Sequence, residues 1–301
     1  MKKPKIKKVC RWITGGVLIL LLGFVMSVAV YFFYPNVSAL KKQNPQKTSF
    51  MAYRMAEWKA QGKKVTLYQT WTPLNRVSPY VIKAVIIAED DKFWDHEGFD
   101  FQAIQQALEK GWEKKKFKAG GSTITQQLAK NLYLTPARNP VRKMKEAILT
   151  WRLERTLSKR RIIELYLNVA EWGEGIFGIE AAARKHFGKR ASALSAREAA
   201  QLAAVLPNPR RYNPTSGSRY VERRAGIIYR IMVQRKIVIP AYEEVMSQPH
   251  ESSGEGESAE AAEAELAAEG DIRGNSHDDD ESSGDDGEQR DNVMDEYQEP
   301  D

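Results

Sequence analysis

Hydrophobic and polar positions follow two distinct patterns along this chain. From Ile13 to about Phe33 no charge interrupts an apolar run, and about 20 such residues suffice for a helix to cross a bilayer. Further on, Ile82, Val85, Ile86 and Glu89 recur at i, i+3, i+4 and i+7, which predicts a helix over residues 79–90 with an acid on its apolar face. The β-branched residues there also suit a strand, but Ser78-Pro79 is a helix-start signal. The Ser oxygen can accept an orphan amide, and Pro fits the first helical position. Helical spacing returns in Phe101, Ile104, Gln105 and Leu108, in Met144, Ile148 and Trp151, and in Leu149, Leu153 and Leu157. Ser195-Ala196-Arg197-Glu198 is a capping box ahead of an apolar run to Leu206, ended by Pro207 and Pro209. No hairpin series and no solenoid repeat is evident, so the folded part is expected to be mainly helical.

Charge divides the chain further. Residues 251–301 hold 20 Asp/Glu against Arg273 and Arg290, and the remainder carries 44 Lys/Arg against 19 Asp/Glu. The tail has almost no aromatic residues and cannot bury enough surface to fold by itself, although residues 259–269 have helix-forming composition. The basic body should seek an anionic partner, and nucleic acid, anionic lipid and pyrophosphate all qualify by charge. The N-terminus favours lipid. Lys2, Lys3, Lys5, Lys7, Lys8 and Arg11 precede the apolar run, which places the N-terminus in the cytoplasm and the rest of the chain outside. A signal peptide cleaved near Ser27-Val28-Ala29 is the competing reading. The run continues past it to Phe33, which favours an uncleaved anchor. The expected organisation is a basic flank (1–12), a transmembrane helix (13–33), a polar juxtamembrane segment (34–65), one globular domain (66–248) and an acidic disordered tail (249–301). The one cysteine, Cys10, lies in the flank, so neither an intramolecular disulfide nor a cysteine metal site can form.

Four segments carry chemical signals. Glu89 on an apolar face would be desolvated, which raises a carboxyl pKa towards the range of a general base, whereas a structural ion pair is the plainer alternative. Gly120-Gly121-Ser122-Thr123-Ile124-Thr125-Gln126-Gln127-Leu128 reads as a glycine turn, a Ser122 cap and a helix start rich in hydroxyls and amides. Such a start can bind a phosphate or sugar hydroxyls, or be an ordinary capped helix. Lys130, Arg138, Arg142 and Lys143 precede Glu146 as a candidate pyrophosphate clamp. The alternative is a solvated face with Glu146 paired to Arg142 at i,i+4. The stretch Ile163-Glu164-Leu165-Tyr166-Leu167-Asn168, with Gly173, Gly175, Gly178 and Glu180-Ala181-Ala182-Ala183, reads as scaffold, with Glu164 and Asn168 as site supports.

These segments occur together in a recognisable order. Glu89-Asp90-x-x-Phe93-x-x-His96-x-Gly98, the Gly120 to Gln127 segment ending in Lys130-Asn131, Arg142-Lys143-x-Lys145-Glu146 and Glu164 to Asn168 resemble the family 51 glycosyltransferase module of peptidoglycan synthases. The continuation Val169-Ala170-Glu171-Trp172-Gly173 is most similar to monofunctional biosynthetic peptidoglycan transglycosylases. The resemblance covers about residues 66–235 and leaves out the acidic tail.

It implies a lysozyme-like, all-α glycosyltransferase domain on the outer face of the bacterial inner membrane, polymerising lipid II into β-1,4-linked glycan and releasing undecaprenyl pyrophosphate. By position Glu89 matches the catalytic base and Glu146 the second essential acid. Lys130, Arg138, Arg142 and Lys143 match phosphate-binding positions, and Ser122, Gln126, Gln127 and Asn131 the cleft motif. Asp90, Phe93, His96, Glu164 and Asn168 are supporting positions. The implied partners are lipid II, the growing glycan strand, the membrane and other cell-wall synthesis proteins, and no nucleic acid. No organic cofactor is implied. An Mg²⁺ or Mn²⁺ requirement fits the family, with no dedicated ligand cluster evident in the sequence.

Two rivals stand beside this reading. A lytic transglycosylase or muramidase would share fold and acid but has little need of the cation group, and a non-catalytic scaffold would not explain both acids in motif order. Ser38-x-x-Lys41 is the one Ser-x-x-Lys beside the anchor, and no Lys-Thr-Gly follows, so a penicillin-reactive transpeptidase domain is not expected.

Overall fold

The computed structural model describes residues 4–105, 121–137 and 139–238. Helix α1 (Pro4–Ala29) continues into a 3₁₀ turn (Val30–Phe32), and the span Trp12–Lys41 is long and apolar enough to cross a membrane. A second 3₁₀ turn (Val37–Lys41) leads to α2 (Ser49–Ala60), capped by Thr48 Oγ1 accepting from the Met51 amide at 3.1 Å. This stretch was set apart on sequence as a polar segment. Yet Val37, Leu40, Phe50, Met51 and Trp58 are buried in the main core, because α2 packs on the helix that follows the Gly121 turn.

Two groups of helices make up the body. In the first, α3 (Pro79–Glu89) packs against α8 (Ala196–Val205) and α9 (Arg219–Gln234), and the alanines of α8 at 199, 200, 203 and 204 let the backbones approach closely. The α8 start is the expected capping box, with Ser195 and Glu198 each bonding the other's amide. In the second group α4 (Ile124–Tyr133) contacts α2, α5 (Pro140–Thr156) and α6 (Lys159–Val169). Leu149, Leu153 and Leu157 are buried as the pattern predicts. Met144 and Trp151, on another side of α5, are exposed.

The glycine-containing part of the segment read as scaffold forms a small sheet with residues 68–69. Strand β1 (Tyr68–Gln69) pairs in parallel with β3 (Ile176–Phe177), which pairs antiparallel with β2 (Glu171–Gly173), and α7 (Ile179–Phe187) follows. Strands of two or three residues are too short to show a period-2 pattern. Gly178 turns this corner at φ +82°, where a Cβ would come within 2.8 Å of the Asn168 carbonyl.

Buried Glu171 ties α2 to the sheet. One of its carboxylate oxygens accepts from Arg54 Nε at 3.1 Å, and Arg54 also pairs with Glu57 at 2.9 Å, which in turn pairs with Arg210 at 3.0 Å. Burial outweighs Arg54 and pushes the Glu171 pKa up from the ordinary 4.5 to about 6. The folded chain therefore holds this proton more tightly than the unfolded one, and stability from this group is gained as pH falls through 6 towards 4.5. Replacing Glu171 by Gln removes the titration. The stability of the Gln variant relative to the parent should be higher at pH 7 than at pH 4.5 by roughly 2 kcal/mol. Denaturation curves at both pH values measure this, and an equal difference at both would refute it.

Candidate active site

Glu89 ends α3, where the two helix groups meet. The next residue makes the joint: Asp90 Oδ2 accepts from the Ile124 amide at 2.9 Å, occupying an orphan N–H at the start of α4. Asp90 Oδ1 lies 2.8 Å from His96 Nε2, and the Gly98 amide donates to His96 Nδ1 at 3.0 Å. Since Nδ1 accepts, the network assigns the ring proton to Nε2, so His96 donates to Asp90. Thr123 Oγ1 donates to the Gly98 carbonyl at 2.8 Å and caps α4 in a box with Gln126. Phe93 is fully buried beneath this turn, with Lys159 Nζ 4.6 Å from its ring centroid.

Two local expectations change here. The residue that caps α4 is Thr123, not Ser122, because the Gly98 carbonyl and Asp90 fix how the chain enters the helix. Ser122 is exposed and accepts from Lys143 Nζ at 3.3 Å. Ser78 occupies the N-cap position of α3, but its hydroxyl makes no cap and instead donates to the Leu194 carbonyl at 2.9 Å.

The Glu89 side chain is 2% exposed. Its Oε2 accepts from Gln127 Nε2 at 2.8 Å, and Tyr166 Oη donates to Gln127 Oε1 at 3.0 Å. The tyrosine thereby sets which end of the Gln127 amide faces the acid. On the other side Arg224, buried in α9, places Nη2 3.7 Å from Glu89 Oε1 and donates to the Ala88 carbonyl at 3.1 Å. Tyr166 and Arg224 were not singled out on sequence. Tyr166 falls in the Glu164 to Asn168 motif, whereas Arg224 carries no local signal beyond being a charge on the apolar side of an amphipathic helix.

Glu146 has unlike surroundings. It is buried on α5, one carboxylate oxygen taking a hydrogen bond from Arg142 Nη1 and the other from Lys143 Nζ at 2.6 Å. The i,i+4 pair is therefore real, but in a buried setting rather than on a solvated face. Lys130 on α4 feels both carboxylates as well as Arg142 and Lys143, and burial pulls its pKa below the usual lysine value. Arg138 lies outside the described residues.

The remaining predicted residues are structural neighbours of the cleft. Gln126 is buried, its Oε1 accepting from the Thr123 amide at 3.0 Å, and Asn131 is buried on the same helix. Glu164 accepts from the Leu74 amide at 2.9 Å. Asn168 exchanges two 2.8 Å bonds with the backbone of Thr72, so both hold residues 69–74 rather than face Glu89. For a divalent cation the donors fit poorly. Both oxygens of Glu146 already face cationic side chains, and among the described residues no three of His, Cys, Asp and Glu converge.

The Transglycosylase family model matches residues 58–233, stopping short of the acidic tail. A protein of Methylobacillus flagellatus called biosynthetic peptidoglycan transglycosylase is 47% identical over 210 residues, 69% of this chain and 92% of that one. One of the same name from Aromatoleum aromaticum is 54% identical over 176 residues, 58% of this chain and 76% of the relative. Another, from a Janthinobacterium species, is 44% identical over 225 residues, 75% of this chain and 97% of the relative. With a family match over more than half its length and two of these relatives covered over more than nine-tenths of theirs, this chain belongs to the transglycosylase family.

Proposed function

We propose that the chain is a membrane-anchored peptidoglycan glycosyltransferase that polymerises lipid II into β-1,4-linked glycan and releases undecaprenyl pyrophosphate. The reading rests on one observation, the unlike surroundings of the two buried acids. Glu89 accepts from the neutral Gln127 amide with Arg224 Nη2 3.7 Å away, whereas the two oxygens of Glu146 accept directly from the cationic Arg142 and Lys143. As the 4-hydroxyl of the acceptor attacks C1 of the donor sugar, Glu89 accepts its proton. The C1–O bond breaks, and the electron pair leaves on the pyrophosphate. Attack and departure on opposite faces invert the anomeric centre, which calls for base and leaving-group clamp on separate walls. Lys130, Arg142 and Lys143 supply the clamp, and Glu146 holds the last two in place. The cytoplasmic basic flank sets α1 so that this cleft lies outside the inner membrane, beside the lipid-linked substrate and the growing strand.

Purified full-length protein incubated with labelled lipid II should yield size-resolved polymer. Cleavage of preformed glycan without polymer would favour the lytic alternative. Glu89→Gln should bind lipid II yet turn over about 10²-fold more slowly or worse. Near-normal polymer from it would sink the mechanism.

Lys143→Ala and Glu146→Gln should couple: combined, they should cost far less than the two single losses multiplied, because each disables the same clamp. Independent, multiplying losses in steady-state rates would argue against a shared clamp.

Lys130 should trade stability for function. Because burial lowers its pKa, its charge opposes folding below that pKa, and the opposition fades as pH rises towards 10.5. Lys130→Met should therefore raise the thermal midpoint at pH 7 while polymerisation drops about 10²-fold. A lower midpoint in the Met variant would contradict this balance.

A further inference from the structure

The helix that carries Glu146 towards the cleft carries a second, differently directed set of contacts on its other side. Arg152, also on α5, donates from Nη1 to the Tyr31 carbonyl at 2.9 Å, and from Nη2 to the carbonyls of Phe33 at 3.1 Å and Pro35 at 2.8 Å. These lie in and just past the 3₁₀ turn that follows α1, where a helix leaves carbonyls without internal partners and its dipole favours a cation. The aromatic groups around this junction add to it. Phe32 meets Trp151 edge to face at 6.2 Å, and Lys145 Nζ sits 5.0 Å from the Tyr31 ring centroid. Nine residues after Arg152, Arg161 grips the next part of the connection. Its Nε donates to the Leu40 carbonyl at 2.8 Å and its Nη2 to the Gln43 carbonyl at 2.9 Å. The path from membrane helix to catalytic body is thus held at both ends by arginines of adjacent helices, rather than left as a free tether.

We propose that Arg152 is a positioning residue that fixes the transmembrane helix to the back of the Glu146 helix, setting the height and tilt of the cleft over the membrane for a lipid-linked substrate. The proposal rests on the reading of α1 as a membrane span and of the substrate as lipid-linked. A substrate embedded by its lipid chain presents its pyrophosphate at a fixed depth, so a cleft that wandered would meet it in the right geometry only part of the time. A misplacement of about 1 Å can cost 10²-fold in rate. Arg suits the task because its planar fork serves several carbonyls at once. A flexible lysine reaches fewer of them.

The test uses the full chain in phospholipid vesicles, with Cys10→Ser removing the native thiol. Spin labels at Val25→Cys on the anchor and Lys83→Cys on the exposed side of α3 report the anchor-to-body distance by pulsed electron resonance. A single narrow distribution is expected with Arg152, and a broad or shifted one with Arg152→Gln. In parallel, Arg152→Gln should polymerise full-length lipid II in vesicles about tenfold more slowly. It should handle a short-chain, water-soluble lipid II analogue within about twofold of the parent, with Arg152→Lys recovering part of the loss. An unchanged distance distribution, or equal losses on both substrates, would overturn the proposal. Should the Gln variant not fold, the Lys variant is read in both arms with smaller shifts in the same direction. If the parent polymerised neither substrate, the proposed function would fail while the distance measurement still decided the role of Arg152.

Discussion

The joint made by Asp90 is the constraint on which the rest of the site depends. A carboxylate at the end of one helix accepts the first amide of another 34 residues later, and the same side chain holds His96, whose far nitrogen orders Gly98. Each partner is satisfied, which is what lets a buried acid persist at a helix junction instead of costing the desolvation of an unpaired charge. Because α3 ends where α4 begins, the last residue of α3 faces the first turns of α4. Glu89 then meets Gln127 one turn in and acts on the charge of Lys130 one turn further. Loosening Asp90 would move the acid relative to everything that gives it a role.

Around that joint the protein gathers charge in a way that a stability-optimised core would avoid. Lys130 is held against its own desolvation, and Glu146 is buried with two cations. Buried ion pairs of this kind seldom add net stability, since dehydrating the charges offsets their attraction. What they provide is a preset array of positive charge, ready for an anionic leaving group without reorganisation at the moment of reaction. The fold carries this cost with tight apolar packing elsewhere, above all the alanine-lined contact of α8 with α3 and α9 and the fully buried Trp172, Phe177 and Tyr166 around the small sheet.

Three sides of α5 express the same division. Leu149 and Leu153 face the core, Glu146 and its cations face the cleft, and Arg152 with Trp151 faces the anchor. A rigid helix is a suitable beam for this, because rotations of one side are transmitted to the others without slack. The juxtamembrane residues 37–60 belong mechanically with the body through Trp58, Met51 and the Arg54–Glu171 pair.

What the sequence determined by itself is what local periodicity and local chemistry decide. The 3.6-residue spacing marked α3, the core side of α5 and the run after Ser195. The order of the acidic, hydroxyl-rich and cationic segments marked the family and the residues Glu89, Gln127, Lys130, Arg142, Lys143 and Glu146. The tertiary structure decided whatever depends on partners far along the chain. Thr123 rather than Ser122 caps α4 because the Gly98 carbonyl receives its hydroxyl, and Ser78 turns from its own helix to Leu194. Gln126, counted with the cleft on sequence, is spent on the cap. Arg224 reaches Glu89 across the packing of α9 on α3, and Arg152 meets a backbone more than a hundred residues earlier. No window of sequence contains both members of such pairs. Their energies become favourable only once packing has excluded water from around them, so they exist in the fold and nowhere in the local pattern.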